Sequence, residues 1–166
     1  MPFNGNSTQP SKSEWAWIVV VSLLVVAVAS LPYILAYRVS LDYRFTGVLV
    51  NPADGNSYFA KMQEGWRGDW LFTLPYTAQP GAGAFIFTYY LFLGHLARWT
   101  GASLDLVYGL ARAIGGLALL LSAYAFIARF VRAAPWRGLA WALFALGSGL
   151  GWVAVPLGAF ASSMGG

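Results

Sequence analysis

Cysteine is absent from this 166-residue chain, and histidine occurs once, at His95. The first absence excludes disulfides, a thiolate metal site and a cysteine nucleophile. The second excludes a histidine cluster that would hold a metal. Charge is scarce as well. Ten Lys and Arg and six Asp and Glu make up 10% of the residues, with a net charge of +4. The cations are scattered apart from one short stretch, which suits membrane topology and argues against nucleic-acid binding. There is no GxxxxGK[ST] phosphate loop, no internal repeat and no support for a soluble nucleophile triad.

What remains is apolar. Hydrophobic residues make up 58% of the chain, and mean hydropathy is +0.60. Residues 15–37 carry no charge over 23 positions. At 1.5 Å per residue such a helix rises roughly 34 Å, enough to cross a hydrocarbon core of about 30 Å. The run is longer than a signal-peptide core, and 14 polar residues with one Lys precede it, so it reads as a retained span. Residues 1–14 read as a disordered cytoplasmic tail. Segments 104–130 and 138–160 are the second and third expected spans. In the third, GSGLGW at 147–152 reads as a helix-packing site.

Segment 83–99 is ambiguous. Its 17 residues stand at the lower limit for a span, and it is crowded with Phe, Tyr and Trp, which favour the interface. Topology arbitrates. Arg129, Arg132 and Arg137 make the stretch before the third span the one dense cationic loop, and short Arg-rich loops stay cytoplasmic. That loop, 131–137, falls inside only if 83–99 does not cross. The expected fold is therefore an all-α membrane protein with about three transmembrane helices, its N-terminus inside and a 38–103 loop outside. The loop carries juxtamembrane helices near 54–65 and 83–99. It holds four of the six acids: Asp42, Asp54, Glu64 and Asp69. Asn51-Pro-Ala-Asp54-Gly is a turn by composition, and the following helix is predicted to close at Gly65.

Asp54 draws attention because it opens that helix at the membrane surface. A carboxylate there can accept a proton from an attacking hydroxyl or bind a divalent cation. It is equally a favoured N-cap. Arg112, one or two turns inside a span, points at a polar cavity, or else reaches outward to the interface or pairs with Asp105 or Asp54. His95 is expected to face the interface.

The stretch Asp54-Gly-Asn-Ser-Tyr58-Phe-Ala-Lys61-Met-Gln-Glu-Gly65-Trp-Arg-Gly-Asp-Trp70 resembles the first outer loop of GT-C glycosyltransferases. These are polytopic enzymes such as protein mannosyltransferases and aminoarabinose transferases. Pro80, the aromatic segment 83–99, Gly101 and Leu110-Ala-Arg112 continue the pattern over about residues 15–135. The resemblance implies transfer of a sugar from a polyprenyl-phosphate-linked donor on the extracytoplasmic side of the cytoplasmic (plasma) membrane. It implies Asp54 as catalytic base or as ligand of a divalent Mg or Mn ion. It implies Tyr58, Lys61 and Arg112 as substrate-binding residues. Many relatives carry two adjacent acids where this chain has Asp54-Gly55. They also have eight or more spans, so the chain resembles their N-terminal quarter or third, with further transmembrane helices or subunits as partners. The rival class is a small non-enzymatic transmembrane subunit of a larger complex.

Overall fold

A computed structural model describes residues 9–39, 45, 47–49, 51–74, 77–79 and 81–147. Five helices follow one another: α1 Lys12–Val39, α2 Pro52–Arg67, α3 Thr88–Thr100, α4 Leu104–Phe130 and α5 Ala134–Leu146. Among the described residues the only β pairing is an isolated antiparallel bridge, Phe72 to Ala84. The chain divides into two compact units, residues 1–26 with 116–166 and residues 27–115.

Two helices are long and apolar enough to cross a membrane, at Lys12–Arg38 with mean hydropathy 2.7 and Leu104–Phe130 with 1.8. Only 11% of the most apolar window of each is buried by the protein itself. A core helix of a soluble domain would be covered by its own fold. Helical backbone satisfies its N–H and C=O groups internally, which hydrocarbon demands. Pro32 lies inside α1; such prolines are tolerated in apolar spans. The expected third span is seen only to Gly147, and its remainder, 148–160 with the glycines Gly149 and Gly151, lies outside the described residues.

In the first unit Ile18, Leu120, Tyr124 and Trp141 form the core, with Trp15 and Val25 packed on it. The Trp141 indole N–H donates to the Leu120 carbonyl at 2.9 Å. A buried ion pair fastens the helix ends. Arg137 Nε and Nη2 donate to the two Glu14 carboxylate oxygens at 2.8 and 2.7 Å. The Tyr124 hydroxyl donates to the same carboxylate, and Arg137 Nη1 donates to the Arg132 carbonyl at 2.6 Å. Sequence reasoning placed Arg137 in a loop of seven residues. Here α5 begins at Ala134, with Pro135 in its first turn, and takes Arg137 into a helix. The proline needs no N–H partner there, so the helix starts early.

The second unit is built on α2 and α3. Met62, Leu93, Ala97 and Val107 form its core, and Leu91 is fully buried. The two helices approach at two glycines. A Cβ on Gly65 would overlap the Leu91 carbonyl, and one on Gly94 would overlap the Met62 carbonyl and stand 2.7 Å from the Trp66 nitrogen. Gly65 is therefore not the predicted helix end but a helix-crossing residue. The true C-cap is Gly68, at φ 115°, whose N–H reaches the Glu64 and Gly65 carbonyls. At that φ a side chain is disfavoured, which is why the stop falls there. The helix also starts earlier than expected. Asn51 stands at the N-cap and Pro52 follows it, so Asp54 sits within the first turn instead of capping it. Gly83–Phe87 is non-helical, leaving α3 with 13 residues, a rise of roughly 20 Å.

Gly94→Ala is expected to destabilise this hairpin by about 2 kcal/mol, because the obstacle is backbone that cannot rotate away. Gly115→Ala in α4, where no atom lies within 4 Å of the added carbon, is expected to be neutral or to stabilise by up to about 1 kcal/mol. Thermal unfolding of both variants in detergent, followed by circular dichroism, checks the contrast.

Candidate functional site

Asp54, Tyr58 and Lys61 stand at spacings of four and three on α2, and so share one helix face. Tyr58 stacks flat on Tyr90 of α3, with centroids 4.9 Å apart and planes 2° from parallel. It also meets Tyr108 of α4 at 6.3 Å. Lys61 Nζ donates to Ser57 Oγ at 2.9 Å. Its ammonium lies over three rings: Phe87 at 4.1 Å, Tyr58 at 5.4 Å and Tyr90 at 5.7 Å. Each ring face attracts a cation. Burial, then the neighbouring Tyr58, Tyr108 and Tyr89, push the Tyr90 phenol above its ordinary range, so it remains a neutral hydroxyl.

Arg112 lies one turn beyond Tyr108 on α4. Its guanidinium carbon is 3.4 Å from the centroid of the Tyr33 ring. Sequence reasoning allowed a pair with Asp105 or Asp54; neither carboxylate comes within 4 Å, and among the described residues the one ion pair is Arg137–Glu14. Asp105 is instead bound by the Tyr37 hydroxyl at 3.0 Å. Arg112, Tyr33, Tyr37 and Asp105 line a cavity of about 560 Å³. Ile34, Leu106 and Leu110 supply its apolar wall. The structure thus gathers Tyr58 and Lys61 among the rings of Phe87, Tyr90 and Tyr108 and seats Arg112 separately on Tyr33.

Asp54 is exposed. The Asn51 side-chain amide donates to its carboxylate. A metal site is not assembled around it: among the described residues no three His, Asp or Glu side chains gather. Gly55 shows why the second acid of the resemblance is missing. A Cβ there would meet the Val48 side chain, whose Cβ stands 2.8 Å away. Among the described residues the donor set at Asp54 falls short of what a divalent cation takes.

Two non-glycine residues among those described hold a left-handed backbone: Asn51 at φ 52° and Phe87 at φ 54°. For a bulky residue this is a strained conformation. Both flank the site. Asn51 holds Asp54, and Phe87 lays its ring over Lys61.

One polar residue was misjudged from sequence, and the role of a second was not seen there. His95 does not face the interface but is buried, its Nε2 3.2 Å from the Asp69 carbonyl oxygen. Trp70 stacks on it at 3.9 Å. Glu64 is also buried. Its carboxylate accepts the Thr73 N–H at 3.0 Å and hydroxyl at 3.4 Å, tying the loop of the Phe72–Ala84 bridge to α2. The nearest sequence signal was spacing: Glu64 lies seven residues, about two helical turns, from half-buried Ser57. Comparison of the chain with protein-family models, curated proteins and solved structures finds no match.

Proposed function

We propose that this chain is the N-terminal part of a membrane-embedded glycosyltransferase of the GT-C type, which handles a polyprenyl-phosphate-linked sugar. One observation carries the reading. Arg112 lies at a cavity with an apolar wall, on an aromatic face, and among the described residues no carboxylate comes within 4 Å of it. A cation so placed in an apolar helix needs an anion from elsewhere. A phosphate on a long apolar tail supplies both halves of the match. Lys61, seated among the rings of Phe87, Tyr58 and Tyr90, would steady the sugar-bearing end. Asp54, exposed on the shared face of α2, would accept the proton of the attacking hydroxyl.

Topology supports the reading. The Glu14–Arg137 pair keeps the start of α1 and the start of α5 on one side of a membrane, which calls for an even number of crossings between them. The helices α1 and α4 supply two. With a rise of roughly 20 Å, α3 falls short of the 30 Å hydrocarbon core. Phe85, Tyr89, Phe92 and Trp99 are exposed, as suits a segment lying in the interface. The 38–103 segment then faces the extracytoplasmic side of the cytoplasmic membrane.

Binding of a short-chain polyprenyl phosphate to the purified protein in detergent tests the assignment. Arg112→Gln is expected to weaken it about tenfold, the loss of one charged hydrogen bond, whereas Arg67→Gln is expected to leave it unchanged. Equal affinity for the phosphate and for the free polyprenol would refute the proposal.

A further inference from the structure

In the first unit the balance of charge is lopsided. Residues 1–26 and 116–166 contain four cations, Lys12, Arg129, Arg132 and Arg137, and one acid, Glu14. Arg137 takes that acid in a two-pronged ion pair. Lys12, Arg129 and Arg132 are left exposed, and the unit holds no second carboxylate side chain to meet them.

Their chain positions flank this pair: Lys12 stands two residues before Glu14, and Arg132 and Arg129 stand five and eight residues before Arg137. The Glu14–Arg137 pair brings the start of α1 to the start of α5, and the Arg132 carbonyl accepts from Arg137. A polar recess of about 330 Å³ lies between the start of α1 and the end of α4, lined by Gln9, Pro10, Trp15 and Arg129. Lys12 lies between Pro10 and Trp15 in the chain. Trp17 and Trp136 are exposed, at 66% and 64%; exposed indoles at the ends of apolar helices mark the headgroup level of a bilayer.

We infer that this recess binds the phosphate headgroup of an anionic phospholipid, in the leaflet that meets the N-terminal end of α1. Charge complementarity selects the occupant. Three cations with no internal counter-ion stand at a bilayer surface, where anionic lipid is the concentrated anion. Arg129 presents a planar fork suited to two phosphate oxygens. Gln9 adds an amide donor for the ester or glycerol oxygens. The acyl chains would then run along the outward face of α4, where Phe126 and Phe130 are exposed.

The test is lipid retention by the full chain in mixed micelles, read by native mass spectrometry with phosphatidylglycerol against phosphatidylcholine. Wild type is expected to prefer phosphatidylglycerol by on the order of 100-fold, at about fivefold per cation. Arg129→Gln with Arg132→Gln is expected to remove most of that preference, and Arg67→Gln in the other unit none of it. Near 1 M salt, where screening acts within about 3 Å, the wild-type preference should collapse. This arm needs no variant to fold. Equal retention of the two lipids by wild type would overturn the inference. So would an undiminished preference in the double variant, or complete displacement of phosphatidylglycerol by inorganic phosphate, which would make the recess a free-anion site.

Discussion

Arg137→Met is expected to destabilise the protein by about 3 kcal/mol, the lower range for breaking a buried pair by removing one partner. The arginine side chain is only 4% exposed, and it answers both oxygens of Glu14, itself 19% exposed. Without it the carboxylate loses both charged donors and keeps the Tyr124 hydroxyl, and the carbonyls of Val131 and Arg132 lose the Arg137 donor. Methionine fills similar space, so the loss reflects unpaired charge more than a cavity. Adding Glu14→Gln to the variant is expected to recover part of the stability, because the orphaned charge then disappears. Unfolding in detergent of the two single variants and the double variant measures the coupling. Additive losses would mean that the pair contributes nothing as a pair.

That pair was not legible in the sequence, where its members lie 123 positions apart. Each looked like an ordinary charge at the end of an apolar run. Where local composition dictates the outcome, the sequence was informative. The uncharged run 15–37 lies within α1, and the apolar segment 104–130 coincides with α4. Glycines were harder. A glycine that ends a helix and one that lets two helices touch look alike until the partner is known, so Gly65 was taken for a cap when Gly68 carried the positive φ. Proline shifted two starts: Pro52 and Pro135 each open a helix earlier than the polar residues nearby suggested. Of the candidate site, the spacing of Asp54, Tyr58 and Lys61 was visible from helical period alone. Apart from Tyr58 of α2 itself, the rings that seat Lys61 and Arg112 come from α1 and α3 and from Phe87, and only tertiary packing brings them to these cations.

On the proposed glycosyltransferase reading, Asp54→Asn is expected to lower sugar transfer at least about 100-fold, the lower range for loss of a general base. The substitution keeps the size of the side chain and an oxygen that still accepts from Asn51, while removing the basic oxygen. Its effect on folding should be small. Asp54 sits in the first turn of α2, where a negative charge favours the helix by about 0.3–1 kcal/mol at an exposed position. Asp54→Ala removes the oxygen as well, and should match Asn in activity while losing slightly more stability. The two variants therefore separate proton transfer from support of the helix start. A metal role predicts something different: activity of the wild type would vanish on chelation, whereas a base acting alone is indifferent to it. Full turnover in a folded Asp54→Asn variant would remove this carboxylate from the chemistry and leave it as a first-turn acid held by Asn51.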